Sequence, residues 1–198
     1  MIFGIRKWPF LPTIIVLAAV AVMVRLGFWQ IDRLAEKEEL LASYAAAAEN
    51  PQALSSFPNQ PLENLYRRTS LFCDGVTGWI AVAGRNASEQ SGYAHVAQCN
   101  AEGKFAFDAP GWAQVLVGWS QSTEHPNWDG GQVTGMIGPG GENGWRLVAD
   151  PPLAGLEANA MPDPGAVPNN HLAYAVQWFF FALTALVIYI LALRRRSR

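Results

Sequence analysis

The stretch Pro168-Asn169-Asn170-His171-Leu172-Ala173-Tyr174-Ala175-Val176-Gln177-Trp178-Phe179 opens a run that carries no charge from Ala173 to Leu193 and closes on Arg194-Arg195-Arg196-Ser197-Arg198. At the helical rise per residue the uncharged run is about 32 Å long, enough to cross a hydrocarbon core of roughly 30 Å. Tyr174 and Trp178 stand at its outer end, where aromatic rings favour the headgroup level, and the arginines close its inner end. A core helix of a soluble protein is the other reading of such a run. Its length and its basic end favour a membrane span over 173–193, with 194–198 as a basic tail.

A second apolar run lies near the other terminus, from Phe10 to Trp29, behind Arg6 and Lys7 and interrupted only by Arg25. Arg25 falls near the end of the run, where a long side chain can snorkel to the interface. A cleavable signal peptide competes, because Ala19-Val20-Ala21 mimics a cleavage site. That triplet sits inside the apolar run, and cutting there leaves a very short apolar region. The reading is an uncleaved anchor over 10–29, preceded by a short cytoplasmic segment, 1–9. The basic tail sets orientation: both termini are expected in the cytoplasm, with the segment between the spans exported.

The chain has 198 residues, 51% hydrophobic, with a formal net charge of −2. That leaves room for one membrane-anchored domain. All 16 Asp and Glu fall between Asp32 and Asp163, whereas much of the positive charge sits at the two ends. An acidic exported domain argues against nucleic acid, whose phosphates need a basic face. The cysteines are Cys73 and Cys99, without CxxC spacing or a CxxCH haem signature. Outside the cytoplasm a disulfide between them is permitted. Two free buried thiols are the alternative, and both stay open.

Between the spans the pattern changes twice. Residues 30–49 are rich in Ala, Leu, Glu and Lys without proline, so a juxtamembrane helix is expected to continue the first span. Residues 50–65, with Pro51, Pro58 and Pro61, read as a linker. Strand candidates then follow at 67–72, 79–83, 93–99, 105–107, 114–120, 133–137 and 145–149, set between turn residues. In Gln114-Val115-Leu116-Val117-Gly118-Trp119 the alternation predicts Val115, Val117 and Trp119 on one core-facing side. The fold expected is two transmembrane α-helices flanking an exported, mainly antiparallel β domain over 66–150, a small sandwich or barrel. The proline-rich segment 151–172 is expected as an extended return path.

Few residues offer chemistry. Gly138-Pro139-Gly140-Gly141 resembles a phosphate cradle, but no Gly-Lys-Ser/Thr follows it. On a strand His95 and Cys99 share a face yet stand about 13 Å apart, too far for one metal. No spacing supports a serine hydrolase, and His125 before Pro126 reads as a surface residue. His171 differs by its position. An imidazole at the head of a membrane helix can ligate the iron of an interfacial haem, with Tyr174 and Trp178 on the same helical face to flank the ring. A capping or hydrogen-bonded histidine is the plainer reading, and Asn169 and Asn170 are good helix caps. Trp29, Arg33 and Lys37, spaced by four, share a face beyond the first span. They form either a basic patch for an acidic group or a solvated face neutralised by Glu36, Glu38 and Glu39.

Leu26-Gly27-Phe28-Trp29-Gln30-Ile31-Asp32-Arg33-Leu34-Ala35-Glu36-Lys37 resembles the LGxWQxxRxxxK signature of the Surfeit locus protein 1 family, and Asn169 to Phe179 is similar to its NHxxYAxxWF motif. Tyr66-Arg67-Arg68 fits that family's YR element, and Val115-Leu116-Val117-Gly118-Trp119 resembles its VLVNRGW strand without the Asn-Arg before Gly-Trp. The chain also looks short between these motifs. The resemblance implies an assembly factor of haem–copper cytochrome c oxidase that carries haem a and catalyses no bond change. It implies His171 as haem ligand with Trp29, Gln30, Arg33 and Lys37 beside the first span, to which the helical spacing adds Tyr174 and Trp178, and the oxidase catalytic subunit and haem a synthesis enzymes are the partners expected. A scaffold that binds oxidase subunits without haem is the alternative. An exported copper handler is weaker, for want of Met clusters. The expected location is a bacterial inner membrane. A mitochondrial inner membrane is less favoured, because the first span begins too early to leave room for a presequence.

Overall fold

The computed structural model describes residues 9–101 and 112–197, in two compact units. One unit holds the chain up to Leu40 together with Pro168–Arg198, and the other holds Leu41–Val167.

The first unit is helical. Helix α1 runs Phe10–Glu49 as one 40-residue helix, its last turns belonging to the second unit. Pro12 is tolerated because it falls in the first turn, and Pro51 follows the end. Helix α2, His171–Ser197, has neither Pro nor Gly inside and ends on Arg194, Arg195 and Arg196, which complement the carbonyl end of its dipole. Each contains an apolar window long enough to cross a bilayer, and almost none of either window is buried. The contact between them uses small residues. A Cβ on Gly27 would lie 2.7 Å from the Phe179 ring, whose edge meets Phe28 at a centroid distance of 5.4 Å. Ala175 and Ala182 are buried, so close approach rather than bulk joins the helices.

The second unit is a six-stranded sheet of β1 (Arg68–Cys73), β2 (Gly75–Arg85), β3 (Ser91–Asn100), β4 (Trp112–Ser120), β5 (Gly131–Pro139) and β6 (Trp145–Ala149). The order is β1-β5-β6-β4-β3-β2, antiparallel except for the short parallel pairing of β4 with β6. β1 and β2 end the order, yet only Asp74 separates them in the chain. The ends therefore meet within about 7 Å at that corner, and the sheet is curled like a barrel. Asp74 N–H donates to the Asn100 carbonyl (3.0 Å), and the Cys73–Cys99 disulfide ties β1 to β3 across the closure. The thiols that the sequence left open are paired. The strand expected at 105–107 lies outside the described residues.

Inside the curl Leu71, Val115, Val117, Val133, Ile137 and Leu147 form the main core, with Phe57, Trp79 and Trp128 packed against it. A second cluster of Ala94, Val96, Leu116 and Val148 occupies the opposite face, under Val82 and Met161. β4 is thus buried on both sides, and its apolar residues run without alternation. The simple alternation fails at Trp119. An irregularity between His95 and Val96 sets Trp119 opposite Ala94, on the second face rather than beside Val115 and Val117. The ring is fully buried, and its Nε1–H donates to the Gly84 carbonyl at 3.2 Å. The proline-rich return segment does more than connect. β6 meets β4 only at Val115 and Leu116; beyond that point Leu153 N–H donates to the Val117 carbonyl, and Glu157 exchanges both backbone bonds with Trp119.

Candidate functional site

The side chains that the end motifs singled out converge in the helical unit. Gln30 lies one residue past the Phe10–Trp29 run, and His171 is the first residue of α2. His171 Nδ1 lies 2.7 Å from Gln30 Oε1. An amide oxygen can only accept, so the proton of the neutral imidazole sits on Nδ1. Nε2 then keeps its lone pair, and its orientation is set by a partner 141 residues away in the chain. An amide behind an imidazole is the kind of outer partner that orients metal-bound histidines.

Arg33, Glu36, Lys37, Leu40 and His171 line an open hollow of about 290 Å³. That is the lower end of the range for small-molecule sites. It suits one acidic edge of a larger ligand rather than a whole macrocycle. Arg33 is engaged on two sides: its NH1 pairs with Glu36 Oε2 at 2.5 Å, and its guanidinium lies 5.6 Å above the Trp29 ring. Lys37 makes no ion pair among the described residues. The hollow thus combines one oriented imidazole, one paired cation and one open cation.

Tyr174 and Trp178 do not line this hollow. Tyr174 is 51% exposed, and Trp178 is half-buried with its ring edge-on to Phe181. Trp29 enters only as the surface beneath Arg33. Sequence reasoning placed Glu36 only in a neutralising surface and did not single out Leu40. Glu36 stands three residues after Arg33, a spacing that pairs side chains on any helix, so this signal was available. Asn169, two residues before His171, has a buried Oδ1 without a partner.

A second imidazole is buried in the β unit. His95 Nε2 lies 2.8 Å from Ser120 Oγ, but that hydroxyl donates to the Ser122 carbonyl at 3.0 Å. Its one proton is thereby used, so the imidazole N–H is the donor to Ser120. A nucleophilic serine needs the reverse polarity. Burial, the largest cause, holds the His95 pKa below the ordinary value, and the nearby His125 adds to this against a backbone hydrogen bond to Ser122. This pair is part of the core. Among the described residues no group of three or more His, Cys, Asp or Glu could hold a metal ion.

Two helices long and apolar enough to cross a membrane, at the ends of a curled β domain, suggest a two-pass membrane protein, and an imidazole and two cations lie where the apolar runs stop. The sequence model of the SURF1 family matches residues 17–183, and the chain belongs to that family. The match takes in both end motifs and the whole β domain. Membership is consistent with a role in cytochrome oxidase assembly. No curated protein matches the chain.

Proposed function

We propose that this protein is an assembly factor of haem–copper cytochrome c oxidase that holds haem a as cargo at the head of α2 and passes it to the catalytic subunit. The observation that carries this reading is the Gln30–His171 hydrogen bond, which leaves an oriented Nε2 lone pair at the edge of a hollow containing two cations. Haem a brings a flat apolar ring, a long isoprenoid tail and two propionates. The donor set fits: imidazole suits haem iron, and Arg33 and Lys37 suit a carboxylate. The hollow is too small to enclose the ring, so the ring and tail lie against lipid and only the acidic edge is seated. His171 would be the one protein ligand to the iron, a hold that suits release to an acceptor. The basic tail supports an orientation with both termini in the cytoplasm and the β domain outside it, and the location that goes with this reading is a bacterial inner membrane. The haem a synthesis enzymes would load the site.

A scaffold role is the second reading. It is favoured by Trp29 at 43% and Tyr174 at 51% exposure, two family-motif aromatics outside the hollow that could meet a partner's helices.

The test is the absorption spectrum of the detergent-purified protein co-expressed with haem a synthesis enzymes, beside His171→Ala. Haem a bands in the wild type that vanish or shift in the variant are expected. Bands unchanged by the substitution would remove His171 as ligand. A colourless wild type, purified from membranes that contain haem a, would leave the scaffold reading, which co-purification of an oxidase subunit would then support.

A further inference from the structure

We infer that Glu36 is a tethered competitor for the acidic group of the cargo, and that it keeps the site exchangeable. The inference rests on the reading of this hollow as a cargo site. Two cations line the hollow in different states. Lys37 is open, whereas Arg33 is already paired with Glu36 and oriented over Trp29. An entering carboxylate can take Lys37 directly. To take Nη1 of Arg33 as well, it must displace the Glu36 carboxylate, which offers the same oxygen chemistry from three residues away. Glu36 is held through Nη1 alone, so an incoming carboxylate competes with it directly at that nitrogen and, at the other N–H donors, meets a cation whose charge Glu36 already offsets.

The strength of that pair fits exchange. The Arg33 and Glu36 side chains are 51% and 62% exposed, and ion pairs so accessible to water are weak. Glu36 therefore does not close the site. It lowers the net gain from seating a propionate on Arg33, and it regains Arg33 when the cargo leaves, so the guanidinium is never left without a partner during handover. A delivery protein needs this balance. Too strong a hold on the acidic group would slow release to the acceptor, and no hold on it would leave the cargo fixed by His171 alone. Glu38 and Glu39 carry the same charge a short way along α1 but do not line the hollow, so they offer a control for bulk charge.

The experiment loads the full chain in nanodiscs with haem b and, separately, with haem b dimethyl ester. Transfer to excess apomyoglobin is followed for wild type, Glu36→Gln and Glu38→Gln. Glu36→Gln is expected to slow the release of haem b about two- to five-fold, the ratio that an exposed ion pair can supply. Glu38→Gln should leave the rate at the wild-type value, and the dimethyl ester should erase the difference between Glu36→Gln and wild type. Equal slowing by both glutamate substitutions would mean a general charge effect and overturn the inference. So would an unchanged rate in Glu36→Gln, or a slowing that survives esterification. Absence of haem a from the co-expressed wild type would instead remove the cargo reading itself, and this inference with it; a wild type that carries haem a but takes up neither form of haem b is loaded with haem a for the same transfer series.

Discussion

In the helical unit Phe180 and Ile188 are each 63% exposed, whereas in the β unit Val115, Val117 and Val133 are fully buried. The two regions draw on the same apolar residue types and present them in opposite ways. In the β unit water is the surrounding solvent, so apolar side chains are driven to two clusters on either face of the sheet. Around the helices lipid takes that role. Burying Leu or Phe against another helix gains little there, and contact is left to small residues such as Gly27, Ala175 and Ala182. The site lies where the helices leave the apolar runs, and there hydrogen bonds and charge hold side chains that packing does not. Packed apolar clusters belong to the β unit, and exposed polar contacts belong to the helices.

Substitutions can break or sharpen that contrast. The largest effect is expected for Trp119→Ala, which empties a fully buried ring site and removes the indole hydrogen bond to the Gly84 carbonyl. The loss should be about 3–5 kcal/mol, read from urea-induced loss of the β-sheet circular dichroism signal of the intact protein in detergent. A loss below about 1 kcal/mol would mean that the second face of the sheet is not a packed core. Replacing Cys73 and Cys99 together by Ser opens a crosslink that spans 26 residues of chain. Loop-closure entropy then predicts roughly 3.5 kcal/mol lost from the same transition, with no shift in the helical signal.

A pH series probes the buried imidazole. Because the folded His95 pKa is lowered, the unfolded chain binds a proton that the folded domain refuses. Stability of the β unit is therefore present above the unfolded pKa, about 6.5, and falls as pH drops below it. His95→Gln should flatten that part of the stability–pH curve. An identical slope in the variant would assign the pH dependence to other groups. The smallest effect belongs to the helices. Thr13 and Tyr189 share a hydroxyl–hydroxyl hydrogen bond between α1 and α2. Thr13→Val should cost about 0.6 kcal/mol or less, as interhelical hydrogen bonds in lipid generally do, and should leave the β transition untouched. A cost comparable to Trp119→Ala would erase the distinction between the two units.

Much of the architecture was legible before any coordinates. The spans were readable because a bilayer demands an uncharged length and rewards arginine at one end, both local properties of the chain. The β domain was readable from short apolar stretches between turn residues, with bounds differing by a few residues. Less legible was which face each side chain takes. Trp119 follows Val115 and Val117 by even steps, and only the irregularity opposite His95 moves it to the other side of the sheet. That irregularity is a property of pairing between strands, and no one strand encodes it visibly.

The chain by itself determined the two spans, the acidic domain between them, the helical face of Trp29, Arg33 and Lys37, and the position of His171 at the head of α2. Each follows from periodicity, charge or hydropathy within a short window. Only the tertiary structure decided that β1 and β2 meet at Asp74, that Cys73 pairs with Cys99, that Gln30 holds Nδ1 of His171, and that Tyr174 and Trp178 stay out of the hollow. These depend on contacts between residues far apart in sequence. Spacing along the chain says which residues share a face, but not what that face meets.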